Sequence, residues 1–317
     1  MKIVFTAKIS ERHQEVLRSQ FDQVSFSFFT SKEEAGVELE LADVLVTYGE
    51  DLTEGHLKQY KNLKWIQVLT AGVDKMPLSY LDESSILLTN VKGIHKIPMA
   101  EYTFAAMLQV ARSLNETFQK QQRKTWDPRI RVDELHDKSL GIIGVGAIGE
   151  EIAKRAQIFG MKVLGVTRSG RENPYCEMMY KPEQLHQFLP LCDYIVAIVP
   201  STRETYRLIG QSELACMKST AVFINIARGS VVDEEALATH LKEGKIKGAV
   251  LDVFTEEPLS ESSPLWELNN CIITPHVSGR SSRYIERALG VFRENLEHFH
   301  TGNLTQLKNI VDCIKGY

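Results

Sequence analysis

The stretch from Leu140 to Arg168 constrains this chain more than any other. Leu140–Ile143 is a short apolar run, and Gly144-Val-Gly-Ala-Ile-Gly149 then spells G-x-G-x-x-G. Glu150–Phe159 continues with helical character, and Met161–Thr167 is a second apolar run. Strand, glycine turn, helix, strand is the order that a dinucleotide pyrophosphate needs. It supplies a tight turn, a backbone without an obstructing Cβ, and a helix N-terminus aimed at the phosphates. Alone, the glycine pattern is weak; placed between a strand and a helix it is specific. Gly144, Gly146 and Gly149 are therefore expected at a dinucleotide. About 20 residues on, a carboxylate for the ribose 2′-hydroxyl is the usual companion. Arg168 stands there instead. A cation suits a 2′-phosphate, so NADP is the expected cofactor, with NAD as the alternative.

The same alternation extends along the chain. Ile3–Thr6, Val24–Phe28, Val44–Thr47, Trp65–Leu69 and Ile86–Thr89 read as strands, with helices at Glu11–Gln20 and Glu54–Tyr60. Strands alternating with helices predict a parallel sheet covered by helices. From Pro98 to about Lys124 the pattern is helical throughout, with Phe104, Met107, Leu108 and Ala111 at 3–4 spacing, and one long helix is expected. A second alternating region has strands at 140–143, 162–167, 194–199, 221–226, 248–253 and 271–274. The helix from Ser282 to about His300 has no strand of its own there and is expected to return to the first domain. The reading is α/β, with two Rossmann-like or flavodoxin-like domains and a cleft between them. Residues 1–97 plus 283–317 would bind substrate, and 98–282 the dinucleotide.

Composition removes other classes. A chain of 317 residues is long enough for two domains, and a net charge of −4 offers no basic field for nucleic acid. Cys176, Cys192, Cys216, Cys271 and Cys313 are scattered, with no C-x-x-C pair, so no metal is expected and a cytoplasmic location is. Met1 runs directly into a strand pattern, which fits no signal peptide. No apolar run approaches the roughly 18 residues of a membrane span.

Open parallel sheets bind ligands beyond the carboxyl ends of their strands. In the second region those ends carry Gly144, then Arg168, Pro200-Ser201-Thr202, Ala227-Arg228-Gly229, Asp252 with Glu257 beyond it, and Pro275-His276. Singly, each ionisable residue has a plain reading as a solvated loop side chain or a satisfied histidine. Arg228, Glu257 and His276 converging on the edge that also holds the phosphate loop read instead as a reactive site.

These residues carry a resemblance. The chain resembles the D-isomer-specific 2-hydroxyacid dehydrogenases over nearly its whole length. The matching stretches are G-V-G-A-I-G, N-I-A-R-G-S-V-V-D-E at 225–234, L-D-V-F-T-E-E-P-L at 251–259 and I-T-P-H-V-S-G at 273–279. L-T-A-G-V-D at 69–74 looks like the family's substrate-carboxylate loop, and Asn90-Val-Lys-Gly93 with Ala100-Glu101 fits the crossing into the cofactor domain. Trp126 falls where many reductases of the family carry a tryptophan.

The resemblance implies His276 as general acid, Glu257 as its partner favouring the imidazolium, and Arg228 as the grip on the substrate's carboxylate and carbonyl. The amides of Ala71, Gly72 and Val73 would take the carboxylate's other side. Ala147 and Ile148 would lie at the pyrophosphate and Ile226 and Ala227 at the nicotinamide, with Pro200 and Ser278 also lining the cofactor site. Asp252 would hold the carboxamide. Arg168 in place of the usual aspartate is the mark of the family's NADP-preferring reductases, many of which act on glyoxylate and hydroxypyruvate. Ser169 and Arg171 could add to a 2′-phosphate site. Tyr102 stands where histidine is common, a position read as structural.

The expected activity is reduction of a small 2-keto acid of the glyoxylate or hydroxypyruvate type by a homodimer. The alternatives are a D-3-phosphoglycerate or D-lactate type of dehydrogenase, or a co-repressor that binds dinucleotide without catalysis. An end at Tyr317 leaves no room for a regulatory domain, which counts against the phosphoglycerate option. Arg280, Arg283 and Lys96 are cations that a phosphorylated substrate could use.

Overall fold

The computed structural model describes residues 1–314, which form two compact units. One comprises residues 1–94 and the chain from Ser281 onward; the other is His95–Arg280.

The first unit holds β1 (Lys2–Phe5), β2 (Ser25–Phe28), β3 (Val44–Thr47), β4 (Trp65–Val68) and β5 (Leu87–Thr89). Their order is β2-β1-β3-β4-β5 with every pairing parallel, the flavodoxin-like arrangement. All four residues of β3 and of β4 are buried, as strands covered on both faces must be. One face is covered by the helix Tyr284–His300, whose Phe292 ring meets Phe5 edge-on at 5.4 Å and stacks on Trp65 at 5.6 Å. A buried polar network ties that helix to the sheet. Trp65 Nε1 donates to Thr89 Oγ1, which donates to Gln67 Oε1, and Asn295 Nδ2 donates to the same oxygen. Asn295 also receives the Lys308 amide and donates to the Lys308 carbonyl, so the polar groups of this dry layer find partners.

The second unit is a seven-stranded, wholly parallel sheet. It comprises β6 (Ser139–Ile143), β7 (Lys162–Val166), β8 (Met178–Tyr180), β9 (Tyr194–Ala197), β10 (Val222–Asn225), β11 (Gly248–Leu251) and β12 (Cys271–Ile273). The order β12-β11-β10-β9-β6-β7-β8 runs outward in both directions from the β6/β9 pair. That is the doubly wound Rossmann order with one added strand, and its switch point lies at the end of β6.

Three local readings differ from the sequence expectation. The helical stretch after Pro98 is two helices, Lys96–Ala111 and Leu114–Gln122. Phe104, Met107 and Ala111 do face the core with Ile152 and Ala156. At the break, the Ala111 carbonyl accepts the Asp133 amide instead of continuing the helix. Ser113 there is left-handed, at φ 50°, and its hydroxyl donates to the Arg131 carbonyl. The edge strand β8 has no counterpart in the sequence pattern, because three residues after a polar loop carry no period to read. The last helix begins at Tyr284, two residues later than its apolar pattern suggests.

Candidate active site

The glycine loop follows β6. Gly144 has φ 107°, and a Cβ on it would lie 2.7 Å from the Ile198 carbonyl oxygen. A Cβ on Gly149 would lie 2.5 Å from the Gly144 carbonyl oxygen, so the helix start is pressed onto the turn. Gly146 is different: nothing lies within 4 Å of a Cβ there. The Gly146 carbonyl accepts the Glu150 amide and opens the helix Ala147–Ile158. The amides of Ala147, Ile148 and Gly149 are thus first-turn donors with no intrahelical partner. Three such donors beside an open glycine fit a pyrophosphate.

Beyond β7, Arg168 and Ser169 are exposed on a turn closed by the Gly170 amide on the Thr167 carbonyl. The Thr167 hydroxyl beside them is buried and has no hydrogen-bond partner among the described residues. Glu204, after β9, is held below the usual carboxylate range, first by the Thr202 side chain and its own backbone amide, then by the charges of Arg168 and Arg203.

The ends of the neighbouring strands β10, β11 and β12 carry the other groups. After β10, fully buried Asn225 braces the turn: its Oδ1 accepts the Ala227 amide and its Nδ2 donates to the Arg228 carbonyl. Ile226 and Ala227 are buried, while the Arg228 side chain stands exposed and donates through Nη1 to the Ala227 carbonyl. The His95 imidazole is pushed below its usual pKa, by burial first and by the Arg228 charge second.

His276 Nδ1 lies 2.8 Å from Glu257 Oε2, and Glu257 Oε1 accepts the Phe254 amide at 3.0 Å. Both side chains keep substantial solvent exposure, 47% and 37%. His276 is also left-handed, at φ 53°, unusual for a residue with a Cβ. Asp252 explains it. The Asp252 carbonyl accepts the His276 amide, and its fully buried carboxylate accepts the amides of Val277 at 2.9 Å and Ser278 at 2.8 Å. Three successive amides turned onto one aspartate force the backbone through the left-handed region. Thr274 donates to the same carboxylate, and Tyr102 approaches Thr274 Oγ1 at 2.6 Å. With the threonine proton committed to Asp252, Tyr102 must donate. Its hydroxyl, pushed up to about 12 chiefly by burial, keeps its proton. The structure thus gives Tyr102 a defined contact that its sequence position only hinted at.

In the first unit, Thr70–Val73 follows β4. Ala71 is partly exposed, Gly72 exposed and Val73 buried. Pro200 lies exposed after β9, Ser278 is buried beneath Asp252, and Trp126 is 94% exposed. Among the described residues no group of three or more His, Cys, Asp or Glu could hold a metal, and no helix is long and apolar enough to cross a membrane.

Residues 104–278 match the family described as D-isomer specific 2-hydroxyacid dehydrogenase, NAD binding domain. The chain is 34% identical to a D-3-phosphoglycerate dehydrogenase of Methanocaldococcus jannaschii over 98% of its own length, spanning 59% of that relative. It is 32% identical to a glyoxylate reductase of Thermococcus gammatolerans, covering 96% of this chain and 94% of the relative. Among solved structures, a D-isomer specific 2-hydroxyacid dehydrogenase family protein from Aeromonas salmonicida superposes with a TM-score of 0.88 at 32% identity, covering 98% of this chain and 99% of that one.

Proposed function

Because this chain belongs to the D-isomer-specific 2-hydroxyacid dehydrogenase family, a family of NAD(P)-dependent oxidoreductases, we propose that it reduces a small 2-keto acid of the glyoxylate or hydroxypyruvate type to the D-2-hydroxy acid. The observation that carries this reading is the His276–Glu257 pair on the strand ends next to Arg228, on the sheet whose β6 ends in the glycine loop.

The dinucleotide fits the residues present: the open Gly146, the free amides of Ala147, Ile148 and Gly149, and the Arg168 turn would hold it. When bound, it supplies the hydride. The chain's own residues do the rest. Glu257 takes Nδ1 of His276, which leaves Nε2 as the atom that delivers a proton to the substrate's carbonyl oxygen. Afterwards the ring is neutral, with its remaining proton on Nδ1 toward Glu257. Arg228 offers fixed positive charge to the carboxylate and to the oxygen as negative charge develops there. Asp252 keeps His276, Val277 and Ser278 in place and, in our reading, also meets the carboxamide. Ala71, Gly72 and Val73 donate to the carboxylate.

Turnover of glyoxylate, hydroxypyruvate, pyruvate, 2-ketobutyrate and 3-phosphohydroxypyruvate with both cofactors tests the proposal. Binding of dinucleotide with no keto acid reduced at millimolar concentration would refute it. The second reading, a D-3-phosphoglycerate dehydrogenase, is favoured by the M. jannaschii relative and would show as a preference for the phosphorylated acid.

NADPH is the cofactor we assign, on the exposed Arg168 after β7. Arg168→Asp should lower kcat/KM with NADPH by about 10–100-fold, the worth of a hydrogen bond to a charged group, and leave NADH use intact or improved. An unchanged NADPH/NADH ratio would remove Arg168 from cofactor selection.

Finally, we assign the exposed apolar side chains Leu114, Phe118, Trp126 and Val132 to the contact of a cytoplasmic homodimer. Sedimentation at the mass of a single chain would exclude it.

A further inference from the structure

The loop after β4 is held in an unusual way. Its four consecutive carbonyls, Leu69 to Gly72, are each tied back into the first unit. Tyr284 Oη donates to the Leu69 carbonyl at 2.7 Å. The Val91 amide donates to the Thr70 carbonyl at 3.2 Å, and Asn90 Nδ2 to the Ala71 carbonyl at 2.9 Å. The Thr70 hydroxyl donates to the Gly72 carbonyl at 2.8 Å. The Tyr48 carbonyl, at 3.4 Å, is the poorer acceptor for that one proton.

A peptide unit is rigid and planar, and its C=O and N–H point in opposite directions. Fixing the carbonyls of Thr70, Ala71 and Gly72 therefore fixes the amides of Ala71, Gly72 and Val73. Among the described residues none of those three amides donates to a protein acceptor. Each carbonyl is occupied by a partner within the first unit, and the N–H groups of residues 71–73 are left without one among the described residues.

We propose that Thr70 and Tyr284 are positioning residues for the substrate's carboxylate, bracing the 71–73 amides before any substrate arrives. This rests on the functional reading above, which gives those amides to the carboxylate. Thr70 acts directly, since its hydroxyl sets the peptide that carries the Val73 amide. Tyr284 acts three peptides earlier, on the Leu69–Thr70 unit from which Thr70 projects. It is the first residue of the helix Tyr284–His300 and reaches the loop across 215 positions of sequence. Its hydroxyl, pushed up to about 12 by burial and then by Tyr48, stays a donor throughout the working range.

Near-isosteric variants keep the packing and remove only the hydroxyls. The carboxylate is present in both the ground state and the transition state, so losing its donors removes uniform binding: KM rises and kcat holds. Thr70→Val should raise KM for the keto acid about tenfold, the effect of roughly one hydrogen bond, with kcat and KM for NADPH within about twofold. Tyr284→Phe should act in the same direction by about fivefold or less. Thr70→Ser, which restores the hydroxyl, should return KM to near its starting value. Binding of oxamate to the enzyme–NADPH complex should weaken in parallel. Hydrogen exchange of the peptide spanning 66–76 should be faster in Thr70→Val without substrate.

Wild-type KM in Thr70→Val, failure of Thr70→Ser to rescue, or loss of kcat together with melting temperature each overturns the inference while leaving the function standing. A wild type that reduces no keto acid and binds no oxamate overturns the functional reading, and this inference with it.

Discussion

Replacing His276 with alanine is expected to lower kcat for keto-acid reduction by about 10²–10⁴-fold, the usual contribution of a positioned acid–base group. Cofactor affinity should change little, because the helix amides and Arg168 that we assign to the dinucleotide's phosphates act without this side chain. The reason to expect a kcat effect lies in how the ring is held. Glu257 fixes one nitrogen at 2.8 Å, and three amides on Asp252 fix the backbone, so the free nitrogen has one direction to face. Glu257→Gln offers a graded companion. It retains an acceptor for Nδ1 but removes the charge, and it should cost less than the loss of the imidazole. Pre-steady-state reduction of a keto acid, with dinucleotide titration alongside, separates the two. A His276→Ala enzyme that reduces the acid at a near-normal rate would take His276 out of the mechanism.

The second large effect should come from a residue without a side chain. A Cβ at Gly229 would fall 1.8 Å from the Phe254 carbonyl carbon and 2.1 Å from the Thr255 nitrogen. Both are backbone atoms and cannot swing aside, so Gly229→Ala must push apart the turn presenting Arg228 and the loop carrying Glu257. Overpacking of this kind costs about 3 kcal/mol or more. For a domain of this size that is roughly a 6–12 °C fall in melting temperature. Activity should fall with it, because the displacement lies between two groups of the proposed mechanism. Gly146→Ala is the internal control: with open space around it, its melting temperature should hold while dinucleotide binding weakens. Equal melting temperatures for Gly229→Ala and the parent would show that the loop yields without cost.

The sheet positions were legible because apolar runs bounded by turn residues leave few alternatives in a parallel α/β chain. β3 and the helix Glu11–Gln20 begin and end where the pattern says. The edge that brings Arg228, Glu257 and His276 to adjacent strand ends follows from the same alternation, since β10, β11 and β12 are consecutive both in sequence and in the sheet. What stayed hidden depends on partners distant in sequence. The helix break near Ser113 is decided by Asp133 and Arg131, on a segment with no period of its own. The left-handed turn at His276 is decided by Asp252, and Tyr102 donates to Thr274 because Thr274 has committed its own proton to Asp252. Thr70 lies in the 69–74 stretch, but nothing in the sequence joins it to Tyr284; their link appears only once β4 and the last helix share a unit.

The discontinuity of the first unit has a temporal consequence. Strands β1 to β5 leave the ribosome first, yet the helix bearing Phe292, which closes over Phe5 and Trp65, is made after the whole of His95–Arg280. At about 5–20 residues per second the older sheet waits roughly ten to forty seconds with an aromatic face uncovered. The younger unit, contiguous in the chain, has every strand it needs before the older one is sealed. The first unit, begun earlier, can therefore be completed only after every strand of the second has been made.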